Sequence, residues 1–292
     1  MDVETALEVL LGAGVEAFSA PTRAAGGTTE QVTKAITAGC DTIFACGGDG
    51  TVHDVLQGLV GTQVSLAIIP LGTANSLAHD IGLPLRPADA ARASLTAKPR
   101  RLAVGRIEYQ DFDSKPCSRL FTVAAGIGVD AHLFYKLNPL LKRRLGMTAY
   151  YVKATRLWLT HKMEKFRVEI SDGTDPRRAE VSQLLAVRIT DFGGVLRELA
   201  PGASLERDDL RLVLFHTHSR FAYLRYILRG LFATQWKVPG IELFHSYGVS
   251  CRLLSSTSGA ASRVFVEADG ELLGTLPAEI SVVPDALTLL AP

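Results

Sequence analysis

The first third of the chain alternates short apolar runs with helical patterns. An apolar stripe at residues 7–11 predicts one helix, and residues 29–38 predict another. Residues 15–18 read as a strand, and residues 42–46 and 64–69 read as short buried strands. Strands that alternate with helical segments are typical of a parallel sheet with crossover helices. We therefore expect an α/β domain at the start of the chain.

Each of the two buried strands runs directly into a glycine-bearing turn. The turns are Gly-Gly-Asp-Gly-Thr at residues 47–51 and Pro-Leu-Gly-Thr-Ala-Asn at residues 70–75. Because parallel strands end at one edge of a sheet, we expect the two turns to lie side by side. Glycines let the backbone approach phosphate oxygens, and the following helix start supplies N–H donors. The pattern predicts a nucleotide site, and an ordinary tight turn is the alternative.

The predicted nucleotide-binding residues offer backbone amides or short polar side chains. They are Gly47, Gly48, Asp49, Gly50, Thr51, Gly72, Thr73 and Asn75. The Asp49 carboxylate could also hold Mg²⁺, directly or through water. The sequence contains no G-x-x-x-x-G-K-[ST] motif, which excludes a P-loop enzyme.

From about Leu102 the pattern changes to many short strand-like runs separated by turns. These runs are residues 121–123, 166–170, 184–189, 210–215, 249–254 and 264–267. Such spacing predicts an antiparallel β-rich second domain. Residues 98–101, with the sequence Lys-Pro-Arg-Arg, read as the hinge between the two domains.

Composition narrows the class of partner. The 292 residues are 47% hydrophobic and carry 31 Lys and Arg against 30 Asp and Glu, so the net charge gives no reason to expect nucleic acid. The four cysteines are far apart and form no C-x-x-C pair, which suits a reducing cytoplasm. No apolar stretch free of Gly and Pro reaches the roughly 18 to 20 residues that span a bilayer. We expect a soluble, cytoplasmic protein that can touch the inner membrane surface.

The paired turns give the chain a family resemblance. GGDGT followed by PLGTAN resembles the nucleotide motifs of the diacylglycerol kinase and sphingosine kinase-like lipid kinases, whereas GGDG alone also occurs in NAD kinases and phosphofructokinases. Further landmarks follow in the expected order at residues 126–131, 200–203, 268–273 and 276–277. The resemblance implies an ATP-dependent lipid kinase that uses Mg²⁺ and transfers the γ-phosphoryl group to a lipid hydroxyl, such as that of diacylglycerol.

The resemblance also implies the fold. It indicates a Rossmann-like domain of the NAD kinase and phosphofructokinase type at residues 1–99, to which residues 284–292 return. An antiparallel β-sandwich-like, lipid-binding domain would occupy residues 100–283. Nucleotide and lipid would then meet in the cleft between the two domains.

Glu271 is the predicted general base. In the family the corresponding acid follows an Asp-Gly turn, and Asp269 and Gly270 occupy those positions here. A carboxylate with an ordinary pKa of about 4.3 is ionised at neutral pH and can accept the hydroxyl proton. The alternative is an ordinary hairpin turn with a solvated glutamate, and Asp49 is the competing candidate for the base. Thr22 aligns with a family threonine near the terminal phosphates.

The chain departs from the family pattern at several points. The family opens with a strand and an Asn-Pro/Gly loop that grips the nucleotide, and the printed sequence begins downstream of that loop. Either it begins late or the phosphate grip is incomplete. His53 and Asp54 replace the common asparagine and glutamate, and Ser76 stands where many relatives carry aspartate. Asp208 lies in a segment that resembles a structural metal loop, but Leu212 replaces a common aspartate there.

Two regions remain with alternatives. The basic, aromatic-rich stretch at residues 142–167 could lie on anionic lipid or be an ordinary amphipathic helix. Residues 220–235 read as a packing helix or as a wall of the lipid pocket. For the whole chain, the alternatives to a lipid kinase are a catalytically silent nucleotide or lipid binder and an NAD kinase-like enzyme. The sequence does not specify the acceptor lipid or the oligomeric state.

Overall fold

The computed structural model describes residues 2–22, 27–129, 131, 163–170, 176–193, 198–232, 237–254 and 263–292. The helices are α1 (Asp2–Gly12), α2 (Thr28–Thr37), α3 (Asp49–Leu59), α4 (Ser76–Asp80), α5 (Pro87–Thr96) and α6 (Arg220–Leu231). The strands are β1 (Thr42–Gly47), β2 (Ser65–Pro70), β3 (Lys98–Gln110), β4 (Pro116–Phe121), β5 (Ala124–Gly128), β6 (Phe166–Ile170), β7 (Arg177–Val181), β8 (Gln183–Val187), β9 (Leu210–Phe215), β10 (Ile241–Ser246), β11 (Gly248–Leu253), β12 (Phe265–Ala268) and β13 (Glu271–Ala291).

The first region is built on a parallel strand pair. β1 and β2 run side by side from the Thr42–Ser65 pair to the Gly47–Pro70 pair, so both end at the same edge. Helices α1 and α5 pack against each other, and α2 packs on α3. The buried apolar side chains of these elements form one core, in which Leu56, Leu59, Leu66 and Ile69 are fully buried.

Residues 15–18 do not form the strand that the sequence predicts. Val15 and Ala17 pack against the first core, but this segment belongs to no strand in the described structure. Within the described residues β1 pairs with β2 alone, so residues 15–18 have no hydrogen-bonded ladder that would make them a strand. An apolar pattern over four residues indicates that one side of the segment is buried, but it does not show that a neighbouring strand is present to pair with it.

The second region is an antiparallel array that closes around its own core. The strand order is β10-β9-β8-β5-β12-β13-β11-β6-β7, and β3 and β4 extend from β13. Inward-facing residues of nearly all these strands share one apolar cluster, which includes Phe121, Ile127, Phe166 and Leu184. A third cluster fills the space between β8, β9 and α6.

One strand links the two regions. β13 pairs antiparallel with β12, β11 and β3, and its far end pairs parallel with β2 through Thr288 and Leu289. The chain therefore passes along the second region and ends beside the parallel pair of the first. The first residue of β13, Glu271, lies at the opposite end of this strand from Thr288 and Leu289. The candidate site is at that end.

Two expectations from the sequence concern contact with a membrane. The basic stretch at 142–167 lies outside them except for its end at 163–167, so it remains a prediction. Among the helices of the described residues, none combines the length and the apolar character needed to cross a bilayer.

Candidate active site

The two glycine turns touch each other at the ends of β1 and β2. A Cβ added to Gly72 would lie 2.4 Å from the Cα of Gly48, which is far inside contact distance. The backbones therefore approach so closely that no side chain larger than hydrogen fits at Gly72. Leu71 N–H donates to the Gly47 carbonyl oxygen at 2.9 Å, which continues the strand pairing into the turns.

Asp49 fastens the second turn to the first. Its Oδ2 accepts a hydrogen bond from Asn75 N–H at 3.0 Å, and its Oδ1 accepts one from Ser76 N–H at 2.7 Å. These two amides belong to the start of α4, so the carboxylate acts as the cap of that helix. Both oxygens of Asp49 thus already have partners within the protein.

Asn75 closes the second turn from inside. Its backbone has a φ of 50°, and its side-chain amide both accepts from Gly72 N–H at 2.9 Å and donates to the Gly72 carbonyl oxygen at 3.0 Å. Asparagine tolerates this left-handed conformation better than most residues because its short side chain bonds locally. The conformation of the turn is therefore fixed before any ligand binds.

The start of α3 remains open to a ligand. Its N-cap residue Gly48 provides no side chain, and no side chain in the described structure caps this end. The first N–H groups of a helix lack partners within the helix and carry a partial positive charge. Since α4 is already capped by Asp49, the N-terminus of α3 is the better place for an anion such as a phosphate.

An Asp-Gly turn joins β12 to β13 opposite these loops. Asp269 and Gly270 have φ values of 48° and 82°, as a two-residue hairpin turn with two left-handed positions requires. The Asp269 carboxylate is nearly buried and accepts hydrogen bonds from the backbone amides of Thr122, Val123 and Ala124 at 3.0 to 3.1 Å. This ties the turn rigidly to the start of β5.

Glu271 is the residue that this turn places at the first glycine loop. A Cβ added to Gly50 would lie 3.2 Å from Glu271 Oε1, so the carboxylate sits directly against the first turn of α3. Its side chain is 43% exposed, which leaves it accessible to a substrate. The glutamate and the open helix N-terminus therefore face one space.

His53 lies fully buried between the two acids. Its Nδ1 is 3.4 Å from Asp269 Oδ2, and its Nε2 is 4.0 Å from Glu271 Oε2. An ionised carboxylate only accepts, so Nδ1 carries the proton in the first contact. Burial alone would lower the pKa of His53, but the hydrogen bond to Asp269 and the charges of Asp269 and Glu271 outweigh burial and the opposing charge of Arg119, and they raise it.

Further side chains join the two regions beside the site. Gln57 of α3 bonds to both the N–H and the carbonyl oxygen of Leu120 in β4, at 3.0 and 2.9 Å. Asp80, at the end of α4, accepts from the amides of Thr190 and Asp191, each at 2.8 Å. Burial raises the pKa of the Asp80 carboxyl, although the two amides act against this. The loops and the acid turn are thus held on either side by contacts between the regions.

Comparison with known proteins gives this arrangement a family. A family model described as the diacylglycerol kinase catalytic domain matches residues 2–107, and one described as the YegS C-terminal NAD kinase beta sandwich-like domain matches residues 122–291. A diacylglycerol kinase of Mycobacterium tuberculosis is 30% identical over 259 residues, which cover 88% of this chain and 79% of that protein. The chain belongs to the diacylglycerol kinase superfamily of lipid kinases.

Other relatives of this superfamily agree. A diacylglycerol kinase of Bacillus subtilis is 26% identical over 270 residues, which cover 91% of this chain and 83% of that protein. A crystal structure of a diacylglycerol kinase from Bacillus anthracis covers 100% of this chain and 93% of its own, with a TM-score of 0.73 and 21% identity. The shared architecture confirms the predicted fold class: a Rossmann-like first domain and an antiparallel β-sandwich-like second domain.

The lipid-kinase motifs converge only in part. The structure brings both glycine turns, Asp49 and Glu271 together at one sheet edge. Thr51 packs back over Gly47, since a Cβ there would lie 2.2 Å from the threonine Oγ1. Thr73 is exposed at the tip of the second turn. Thr22 is exposed in the irregular segment before α2, and its assignment to the terminal phosphates remains a prediction.

In the segment that contains Asp208, the contacts with other side chains are made by the next residue, Asp209. Asp209 accepts from Arg207 Nε at 2.8 Å and lies 3.1 Å from His245 Nδ1, whereas Asp208 is exposed. The hydrogen bond from Arg207 and the nearby His245 lower the pKa of Asp209, against a smaller effect of burial. Within the described residues no three His, Cys, Asp or Glu side chains cluster as metal ligands, so the metal role of Asp208 stays a prediction.

Sequence reasoning missed the roles of two residues in the site. The sequence identifies His53 only as a departure from the family asparagine, and Asp269 only as half of a turn. His53 follows Asp49 by four residues in α3 and so lies on the same side of that helix. This spacing is the feature of the sequence that could have indicated a role for His53 in the site. The three amides that Asp269 accepts come from residues about 145 positions away, so only the folded chain reveals them.

Proposed function

We propose that this protein is an ATP-dependent lipid kinase that transfers the γ-phosphoryl group to the hydroxyl of a lipid such as diacylglycerol. The observation that carries the proposal is the position of Glu271, whose Oε1 lies against Gly50 at the open start of α3. A general base and a phosphate-binding helix N-terminus in one space are the two parts that phosphoryl transfer needs.

The triphosphate of ATP would lie along the glycine turns. The uncapped N–H groups of α3 offer hydrogen bonds and a positive dipole end to the terminal phosphates. The contact between Gly48 and Gly72 fixes the relative position of the two turns. Binding therefore requires little rearrangement of the loops, which favours accurate placement of the γ-phosphorus.

Mg²⁺ fits here as a companion of the nucleotide. Mg²⁺ is commonly held by one or two carboxylates together with phosphate oxygens and waters. Asp49 could contribute an oxygen through a lone pair that its backbone hydrogen bonds leave free, directly or through water. When bound with ATP, the ion neutralises phosphate charge during transfer.

Glu271 would take the proton from the lipid hydroxyl. As the hydroxyl oxygen bonds to the γ-phosphorus and the bond to the β-phosphate oxygen breaks, the hydroxyl proton moves to the Glu271 carboxylate and ADP leaves. A protonated His53 would hold that carboxylate in place from behind, because its Nε2 faces Glu271 and its Nδ1 is anchored by Asp269. Glu271 is exposed enough to return its proton to water afterwards.

A labelled-ATP assay against a lipid panel tests the proposal. The panel contains diacylglycerol, phosphatidylglycerol, a sphingoid base and a polyisoprenoid alcohol, dispersed in detergent, and NAD in a separate reaction, with mass analysis of the products. We expect a Mg²⁺-dependent phosphorylated lipid and release of ADP. If NAD is phosphorylated instead, the enzyme is NAD kinase-like. If ATP binds and no acceptor is phosphorylated, the chain is a silent binder, and the proposal is wrong.

A further inference from the structure

Helix α6 is apolar on the side that faces away from the protein. Its inner side is buried in the third core cluster through Ala222, Tyr223 and Tyr226. On its outer side Phe221 is 73% exposed and Leu228 is 36% exposed. Members of the outer stripe are spaced three, four and four residues apart, which places them on one face of a helix. This outer stripe comprises Phe221, Leu224, Leu228 and Phe232.

Such a helix differs from the usual surface helix because it is apolar on its outer side as well as on its inner side. A helix that packs on a protein core normally turns polar side chains to water. In α6 the inner side is already covered, and yet the opposite side, together with the C-cap residue Phe232, carries two phenylalanines and two leucines that remain in solvent. Exposed apolar residues scattered singly need no explanation, but a contiguous stripe marks a surface that binds something apolar.

The charges around the stripe indicate which apolar partner it fits. The sequence of α6, RFAYLRYILRGL, contains three arginines and no acid. Arg220 and Arg225 are exposed and lie on the two flanks of the stripe. Arg229 instead faces inward, where its guanidinium lies 4.8 Å from the centre of the Tyr226 ring. An apolar stripe flanked by cations complements a bilayer with anionic headgroups.

We propose that the outer stripe of α6 docks this protein on an anionic bilayer surface. The proposal rests on the lipid kinase function above, since it names the surface from which the acceptor lipid is taken. The phenylalanines and leucines enter the boundary between headgroups and acyl chains, while Arg220 and Arg225 contact lipid phosphates. The membrane contact predicted for residues 142–167 thereby gains a second, structurally described element.

Vesicle binding of a stripe variant tests the proposal. Leu224→Ser/Leu228→Ser is compared with the control Leu11→Ser/Leu95→Ser, which changes two helix-surface leucines that are 50% and 41% exposed elsewhere. Cosedimentation uses vesicles of equal parts phosphatidylglycerol and phosphatidylcholine. We expect the stripe variant to partition about tenfold more weakly and the control to bind like wild type. Arg220→Gln/Arg225→Gln should lose most of the preference over pure phosphatidylcholine vesicles.

Activity in detergent separates this proposal from the proposed function. The stripe variant should phosphorylate detergent-dispersed acceptor at the wild-type rate and lose activity only with vesicles. If it binds vesicles as tightly as wild type, the docking proposal is wrong while the kinase function stands. If vesicle binding depends on the stripe but no lipid is ever phosphorylated, the kinase function is wrong instead. If the stripe variant only converts a dimer into a monomer in sedimentation velocity, the stripe is an interface between copies and the docking proposal is wrong.

Discussion

Two aspartates organise the site from opposite sides, and they do so at different depths. Asp49, partly exposed, accepts two backbone amides at the start of α4. Asp269, nearly buried, accepts three backbone amides from residues 122–124 and also contacts His53. Both carboxylates replace water for backbone groups that would otherwise lack partners. The difference is that Asp49 shapes the proposed nucleotide-binding loop, whereas Asp269 supports the turn that carries Glu271.

This difference separates folding from binding within one site. A buried carboxylate with three amide partners costs much to remove, because the amides have no access to water. A partly exposed carboxylate costs less, because water can take its place, but its loss frees the loop that a nucleotide needs. We therefore expect changes at Asp269 to act mainly on stability and changes at Asp49 mainly on nucleotide affinity.

The largest expected loss of stability is at Asp269. Asp269→Ala leaves three buried amides without an acceptor, and we expect the free energy of unfolding to fall by about 3–4 kcal/mol. The control is Asp285→Ala, since Asp285 has nearly the same φ, 47° against 48°, but a side chain that is 76% exposed. It should lose less than about 1 kcal/mol. Urea denaturation of both variants checks this, and equal losses would contradict the supporting role of Asp269.

The next largest effect is at the contact between the two glycine turns. In Gly72→Ala the new Cβ would meet the Gly48 Cα at 2.4 Å, so the backbones must separate. We expect the free energy of unfolding to fall by about 2–3 kcal/mol and ATP affinity to fall as well. Gly12→Ala is the control, because nothing lies within 4 Å of its Cβ. Thermal unfolding measures the change in stability, and ATP titration measures the change in affinity. If Gly72→Ala matches wild type in both, the turns do not depend on this contact.

A smaller loss of stability should accompany a clear loss of binding at Asp49. Asp49→Ala removes the acceptor of two amides, and we expect about 1–2 kcal/mol of destabilisation. Since the second turn is then free to move, ATP should bind about tenfold to a hundredfold more weakly. Asp49→Asn keeps one acceptor oxygen, so its affinity for ATP should lie between that of wild type and that of Asp49→Ala. Calorimetric titration with ATP checks the order, and an unchanged affinity in Asp49→Ala would contradict the comparison of the two aspartates.

The smallest effect concerns pH. The pKa of His53 is raised above its ordinary 6.5 in the folded protein. Its stabilising contribution is therefore complete below pH 6.5 and is lost as the pH rises through the raised value. The groups facing it are Asp269 and Glu271, which favour its charge, and Arg119, which opposes it. The stability advantage of wild type over His53→Asn should shrink as pH rises above 6.5, and an advantage independent of pH would show that His53 stays neutral.

The sequence could predict the parts of the site that depend on local rules. Two strand–glycine–helix units imply turns at one sheet edge, and an Asp-Gly pair implies a hairpin that carries Glu271. These inferences need only the direction of strands and the conformations that glycine allows. The same is true of the antiparallel second domain, which follows from short alternating runs.

The remaining features depend on distant pairing. The return of β13 to β2 through Thr288 joins positions more than 200 residues apart, and it was expected from the resemblance alone. The bonds of Asp269 to residues 122–124 could not be read from any local pattern. The strand predicted at 15–18 was wrong because apolar alternation does not supply a pairing partner. Periodicity predicts a packing helix or a pocket wall at residues 220–235 but does not say which face of the helix is inside, so the outward stripe of α6 is visible only in the structure.

The position of Glu271 against the first glycine loop is the central claim, and one rate tests it most directly. Glu271→Gln keeps the shape of the side chain and removes its capacity to accept a proton. In single-turnover experiments with saturating ATP and detergent-dispersed acceptor, we expect phosphoryl transfer to slow by about 10²- to 10⁴-fold while the Kd for ATP stays at the wild-type value. A transfer rate within about threefold of wild type would contradict a general base at this position.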